Sequence, residues 1–223
     1  MNHWILLTAV VLAGLASGAA AAEKPRALAH FRIAGDEIAV PIPPDLCEPT
    51  GAFADRAQMA AAADSQNVTL LSLFNCAEMK AGTVPQHFAY IKAPKNTLNT
   101  RMTLAELLKA MGDVPDSEMR AAIADDKISP AISKDVSAVA GKDVKVQSAI
   151  LPADKDASGY YMAGVVQVQA DGGDASTGVA VGITATKGHL LSYNFYAPGQ
   201  GAAEVRALLG QTKAETKRLV EAN

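Results

Sequence analysis

The stretch from Val144 to Tyr196 most constrains what this chain can fold into. Val144, Val146, Ser148 and Ile150 alternate with their neighbours, and Tyr160 to Val168 is a second apolar run ended by Asp171-Gly172-Gly173-Asp174. Val179, Val181, Ile183 and Ala185 then alternate with Ala180, Gly182, Thr184 and Thr186, and Lys187-Gly188 marks a tight turn before Leu190 to Tyr196. Period two punctuated by glycine turns predicts an antiparallel meander of four strands. Pro198-Gly199 breaks it. The chain then ends in a helix over 202–221 whose Val205, Leu208, Leu209, Thr212, Thr216, Leu219 and Val220 face one way.

The earlier half supplies strands and helices in a different order. His30 to Ile33 and Ile38 to Ile42 flank Ala-Gly-Asp-Glu and predict a β-hairpin, preceded by a loose tail over 23–29. Pro41, Pro43 and Pro44 mark an edge or a strand exit. Asp55 to Gln66 is alanine-rich and predicts a helix. Val68 to Phe74 predicts a strand covered on both faces, and Phe88 to Lys92 a further one. A helical block over 103–140 follows. Thr103-Leu-Ala-Glu106 is a capping box, and Leu104, Leu107, Leu108 and Met111 form a stripe that Gly112 ends. Pro115-Asp116 opens a second helix with Met119, Ala122 and Ile123, and a third spans 131–140 with Ile132, Val136 and Val139. Helices segregated against an antiparallel sheet make an α+β domain with the four-strand meander at its C-terminal end.

In order and size these elements resemble the Mog1/PsbP-like fold, including its periplasmic bacterial members. The segment from Gly178 to Asn223, with VAVGITATKGHLLSYNFYAP leading into a terminal helix, is similar to exported proteobacterial proteins. The resemblance covers most of the chain after residue 22 and rests on architecture. That family runs from binding proteins to photosystem accessory factors, so the resemblance implies a fold and no residue roles.

The N-terminus indicates a compartment. Trp4 to Leu15 is apolar, small residues follow, and no charged side chain occurs before Glu23. This is the pattern of a secretory signal peptide with an A-x-A site at Ala20-Ala21-Ala22, although the first residues carry no Lys or Arg. A membrane anchor needs ~20 strongly apolar residues, and this run is shorter; an uncleaved anchor stays as the alternative. Residues 1–22 are therefore expected to be removed, leaving 23–223 as one α+β domain with no membrane span. The charge of −3 speaks against nucleic acid, which needs a basic face, and against anionic lipid. Hydrophobic content of 49% excludes wholesale disorder. The two cysteines, Cys47 and Cys76, are an even count in an exported chain and predict a disulfide; two buried thiols are the alternative.

Motifs for catalysis are scarce. There is no G-x-S-x-G, no H-E-x-x-H and no glycine-rich phosphate loop. His30, His87 and His189 are isolated, which fits surface or hydrogen-bonded histidines. Asp154, Asp156 and Ser158 match the opening of a calcium loop, but the twelfth position is Val165 where such loops place a bidentate carboxylate, and Lys155 adds a positive charge. A solvated hairpin loop is the plainer reading, and Asp171 and Asp174 read the same way. Asp125-Asp126-Lys127 fits a solvated helix end. Tyr193, Phe195 and Tyr196 fit sheet core and rim. Asn67-Val68-Thr69 is a glycosylation sequon abutting a buried strand. The expectation is a periplasmic or secreted protein without cofactor. It would bind an envelope protein or a small ligand in a groove between the 103–140 block and the meander. A hydrolase whose site assembles only in three dimensions, and a weak calcium-binding module, are the alternatives.

Overall fold

A computed structural model describes residues 25–114, 117–118, 130, 133–135, 137, 143–170, 173–199 and 201–223. The meander is present. Strands β6 (Val144–Asp156), β7 (Gly159–Ala170), β8 (Gly173–Thr186) and β9 (His189–Pro198) pair antiparallel in sequence order. Three strands from the first half extend the sheet: β3 (Leu46–Cys47), β4 (Asn67–Asn75) and β5 (Phe88–Pro94). The order across all seven is β3-β4-β5-β9-β8-β7-β6. The first hairpin, β1 (Leu28–Ile33) with β2 (Asp36–Pro41), forms a separate two-stranded sheet.

Four α-helices are described over their whole length: α1 (Ala52–Ala63), α2 (Cys76–Lys80), α3 (Leu104–Gly112) and α4 (Ala202–Glu221). The core lies between the large sheet, the hairpin and α4. Alternate residues of β4, β5 and β9 point into it, among them Leu71, Leu73, Ala89, Ile91, Leu191, Tyr193 and Phe195. Phe31, Ile33, Ile38 and Val40 enter from the hairpin, and Leu208 and Leu219 from α4.

Both short hairpins turn on residues with positive φ. Ala34-Gly35 (47° and 92°) closes β1–β2, and Lys187-Gly188 (47° and 81°) closes β8–β9. Two positive φ values give the turn whose twist matches paired strands. The first hairpin is longer than the sequence indicates, because Asp36 and Glu37 belong to β2 and Leu28 and Ala29 to β1. The tail before it is also docked: Arg26 Nη1 donates to both carboxylate oxygens of Glu215 on α4 at 2.9 and 2.7 Å. A strand's hydrogen-bond ladder tolerates polar side chains that find partners, and the 151–159 stretch shows the same effect. It is a continuation of β6, with Ala157-Ser158 between Asp156 and Gly159.

Helix α3 has the expected capping box: Thr103 Oγ1 accepts from Glu106 N–H at 3.2 Å, and Glu106 Oε2 accepts from Thr103 N–H at 2.7 Å. Leu107 is its buried residue. The helices expected from Pro115 and over 131–140 fall mostly outside the described residues, as do Asp125-Asp126-Lys127. Helix α1 begins and ends three residues before the expected span. The Asp64 carboxylate accepts from the N–H groups of Gln66 (3.0 Å) and Asn67 (2.8 Å), which draws the chain out of the helix.

Cys47 and Cys76 form a disulfide with Cα atoms 5.3 Å apart. It ties β3 to the end of β4, one strand in from the sheet edge. A closed loop of this length stabilises the fold by ~3–4 kcal/mol in the chain-entropy model.

Helix α4 packs on β7, β8 and β9. Its approach requires Gly182, because a Cβ there would overlap Thr216 Oγ1 and press on the Tyr161 ring. Gly182→Ala should therefore cost about 1–3 kcal/mol, as overpacked cores do. Thermal melts should show the loss, and Thr216→Ala in the same chain should restore part of it. A Gly182→Ala protein melting with the wild type would mean that α4 sits farther from β8.

Candidate functional site

Each histidine of the described residues lies against a carboxylate. His30 Nδ1 is 3.1 Å from Glu37 Oε1, and His87 Nδ1 is 3.0 Å from Glu78 Oε1. Both rings are about half exposed, and neither touches a hydroxyl within hydrogen-bond distance among the described residues. Burial pushes the Glu78 carboxyl up. Hydrogen bonds from the His87 ring and from the N–H groups of Gln86 and His87 outweigh it and hold the group below its ordinary value.

His189 joins three turns. Its Nε2 lies 2.9 Å from Asp36 Oδ2 and 2.9 Å from Arg101 Nη1. Arg101 Nη1 has two protons, and two acceptors take them: Asp36 Oδ2 at 2.6 Å and the Lys187 carbonyl at 2.8 Å. His189 Nε2 thus sits between the Asp36 carboxylate and the Arg101 guanidinium. Hydrogen bonds from His189 and then Arg101 hold the Asp36 carboxyl below its ordinary value. The other ring nitrogen, Nδ1, is buried with no partner among the described residues, and the side chain is 1% exposed. A general base needs its free nitrogen within reach of the substrate proton. Here that nitrogen is sealed inside the protein, so this Asp–His pair pins the β1–β2 turn to the β8–β9 turn.

The candidate cation ligands meet a protein cation. Lys213 Nζ of α4 donates to Asp154 Oδ2 and lies 3.9 Å from Asp156 Oδ2. It also stands 5.7 Å from the centroid of the Tyr161 ring, and the Tyr161 hydroxyl donates to Asp156 Oδ1 at 2.9 Å. Ser158 is engaged through its backbone. Its N–H donates to Asp156 Oδ1 (2.8 Å) and its carbonyl accepts from Thr184 Oγ1 (2.7 Å). Asp154, Asp156 and Ser158 thus sit at the tip of a hairpin where Lys213 pairs with Asp154 and partly offsets the charge of Asp156. Among the described residues no cluster of three or more His, Cys, Asp or Glu could hold a metal. Asp171 is not among the described residues, and Asp174 pairs with Gln169 across β7–β8. Calcium at about 1 mM should leave the melting temperature unchanged, and a rise abolished by Asp154→Ala would contradict this geometry.

Of the aromatic residues, Tyr193 and Phe195 are buried in the core and Tyr196 is half-buried on the opposite face. There Tyr196 stacks on Phe88 at 4.6 Å, and Phe74 and Tyr90 complete the group. Burial pushes the Tyr196 hydroxyl up to about 12. Asn67 of the sequon is committed, since its Nδ2 donates to Asp64 at 3.1 Å.

The groove expected between the 103–140 block and the meander has one wall mostly outside the described residues. Helix α3 does lie on β7 and β8, and Ser133 and Ser137 reach the β6 edge. A concavity among the described residues lies elsewhere. It is a cleft of 270 Å³ between α1 and β4. Ala54, Ala57 and Ala61 face Thr69 to Ser72, and Glu48, Pro49 and Gln58 complete its walls. Alanine is too short to fill the space a helix leaves beside a strand, and Ala57 alone among the helix residues is buried. The alanine content of α1 was the available signal for this cleft. Read as helix propensity alone, it gives no hint of a cavity.

The joint between α1 and β4 is stapled electrostatically. Lys92 Nζ donates to Asp64 Oδ2 at 2.7 Å, and both side chains are largely buried. Burial pushes the Asp64 carboxyl up, but the Lys92 bond and charge, with the N–H groups of Asn67 and Gln66, hold it below its ordinary value. A carboxyl depressed in the fold stabilises above its unfolded value, near ~3.9, and that stability is lost as the pH falls through the folded value. Asp64→Asn should cost about 2 kcal/mol at pH 7. The difference from wild type in denaturant midpoints should shrink below about pH 4; a difference independent of pH would mean that the charge of Asp64 contributes nothing.

No protein-family model matches the chain, and no curated protein matches it. The structure is similar to the solution structure of cyanobacterial PsbP (CyanoP) from Synechocystis sp. PCC 6803, with a TM-score of 0.41 and 11% sequence identity, over 91% of this chain and 98% of that one. A likeness at that score assigns neither activity nor partner. No helix among the described residues is long and apolar enough to cross a membrane.

Proposed function

We propose that this is an exported binding protein of the bacterial envelope, periplasmic or secreted, without catalytic activity or cofactor. Residues 1–22 direct export and are removed after Ala22. Residues 23–223 act as a single domain that binds a partner protein or a small ligand. The disulfide fits an oxidising compartment. One observation carries the binding reading. The histidines of the described residues are each paired with a carboxylate, whereas the cleft offers uncommitted polar side chains. Glu48, Gln58, Thr69 and Ser72 make no side-chain hydrogen bond or ion pair among the described residues. Catalysis needs a nucleophile, a base and a group that stabilises developing charge, and no lysine or histidine lines this cleft. At 270 Å³ the cleft is below the range of ~300–1,000 Å³ usual for small-molecule pockets, which favours a protein partner over a small ligand.

Two measurements test this reading on protein purified from native envelope. N-terminal sequencing should begin at Glu23, and a chain retained in the membrane with Trp4 to Leu15 intact would overturn export with cleavage. Assays with ester, phosphoester and peptide substrates should show no turnover. A hydrolysis abolished by His87→Ala or His30→Ala would establish an enzyme instead.

A further inference from the structure

We propose that the outer edge of β4, inside the cleft beneath α1, is a strand-addition site for an extended basic peptide segment of a partner protein; this deepens the binding reading above and rests on it. The geometry begins with the lining. Thr69, Leu70, Leu71 and Ser72 are consecutive, and all four border the cleft. A β-bulge shifts the register with β5 between Thr69 and Leu71, so side chains do not alternate strictly there; the pairing itself marks this stretch as an edge, because β3 reaches only Asn75 and Phe74.

Among the described residues no strand pairs with that edge from Thr69 to Ser72. β3 pairs with β4 only at Leu46–Asn75 and Cys47–Phe74. Continued by two residues, β3 would set Glu48 against Leu73 and Pro49 against Ser72. Pro49 has no N–H to donate, and the chain leaves for α1. An incoming segment would prolong the line that β3 begins, with the disulfide holding β3 in place. From Thr69 to Ser72 the added strand needs to cover only about 10 Å, at ~3.3 Å per residue.

Two further features set the chemistry of the occupant. The alanines of α1 leave lateral room, and the hydroxyls of Thr69 and Ser72 with the Gln58 amide can bond polar side chains. Glu48 is the carboxylate of the cleft and has no cationic partner among the described residues, so it selects lysine or arginine in the incoming segment. Main-chain bonds to an edge give affinity and neighbouring side chains give selectivity, as in other cases of strand addition.

The test uses the exported, cleaved protein and two fluorescein-labelled hexapeptides. One alternates valine with lysine, and the other alternates valine with glutamate. Fluorescence anisotropy should show the lysine peptide binding at least tenfold more tightly. Glu48→Gln should remove most of that preference. Ala54→Leu, which fills the cleft, should abolish binding while the melting temperature stays near wild type, and Ala61→Leu serves as the second filling variant should Ala54→Leu fail to fold. Hydrogen exchange should show new protection of amides within residues 69–72 on binding. No binding of the lysine peptide, equal binding of both peptides, binding unchanged by the filling variants, or no new protection at 69–72 would each overturn the proposal. Photo-cross-linkers at Gln58 and at the remote Gln167 separate the two levels. A defined adduct at Gln167 with none at Gln58 overturns this site and leaves the binding reading standing, whereas a hydrolase activity overturns that reading itself.

Discussion

The close approach of α4 to the meander is the contact on which the rest of the structure depends. Gly182 has no side chain, so Thr216 can lie directly on the β8 backbone. That distance brings Thr212, Thr216 and Leu219 to complete burial and seats Leu208 in the same core as the first hairpin. It also brings Glu215 inside, where a lone carboxylate would be untenable. Arg26 of the N-terminal tail supplies the compensating charge from one side and Arg218 from the other, at 3.1 Å. Breaking such a pair typically costs 3–5 kcal/mol, roughly the worth of the disulfide. The fit leaves Tyr193 Oη and Thr216 Oγ1 buried with no partner among the described residues. Apolar burial around them offsets that cost.

A sheet of seven strands has two edges and the separate hairpin adds others, and the chain closes several of them with side chains. At β6, Ser137 Oγ accepts from Val144 N–H and Ser133 Oγ from Val146 N–H, both at 2.9 Å. At β2, the Asn223 amide accepts from Ala39 N–H (2.9 Å) and donates to Ala39 C=O (2.8 Å), while Lys187 Nζ donates to Glu37 C=O (2.7 Å). An amide with one donor and one acceptor imitates a residue of a neighbouring strand. These stoppers satisfy backbone groups that would otherwise template another chain. The β4 edge is treated differently: a helix of small residues stands over it and leaves a cleft.

How much of this was legible depends on the range of the interaction. Alternation with glycine turns is local, so the meander and its order could be read directly, as could the Thr103–Glu106 box and the stripe of the last helix. The cysteine pair was legible from compartment and parity. What escaped was set by distant partners. Glu215 reads as a solvated residue until Arg26, 189 positions away, is seen to reach it. Asp154 and Asp156 read as a loop until Lys213 pairs with them and the strand continues beneath. The cleft under α1 depends on side-chain volume summed between a helix and a strand edge, which periodicity does not register.

The same long-range pairing commits His189 and the Asp154–Asp156 pair to contacts within the fold. A histidine whose one nitrogen is held by Asp36 and whose other is entombed has no free lone pair facing solvent. A pair of aspartates that already hold an ammonium offer a cation half the charge excess they would otherwise have. Such groups are spent on joining elements far apart in sequence: His189 links the β1–β2 and β8–β9 turns, Lys213 links α4 to the β6–β7 tip, and Asp64 links α1 to β5. The proposed binding would draw on polar groups that remain uncommitted. Among the described residues that condition, a concave surface with unspent donors and acceptors beside an unpaired strand edge, is met between α1 and β4.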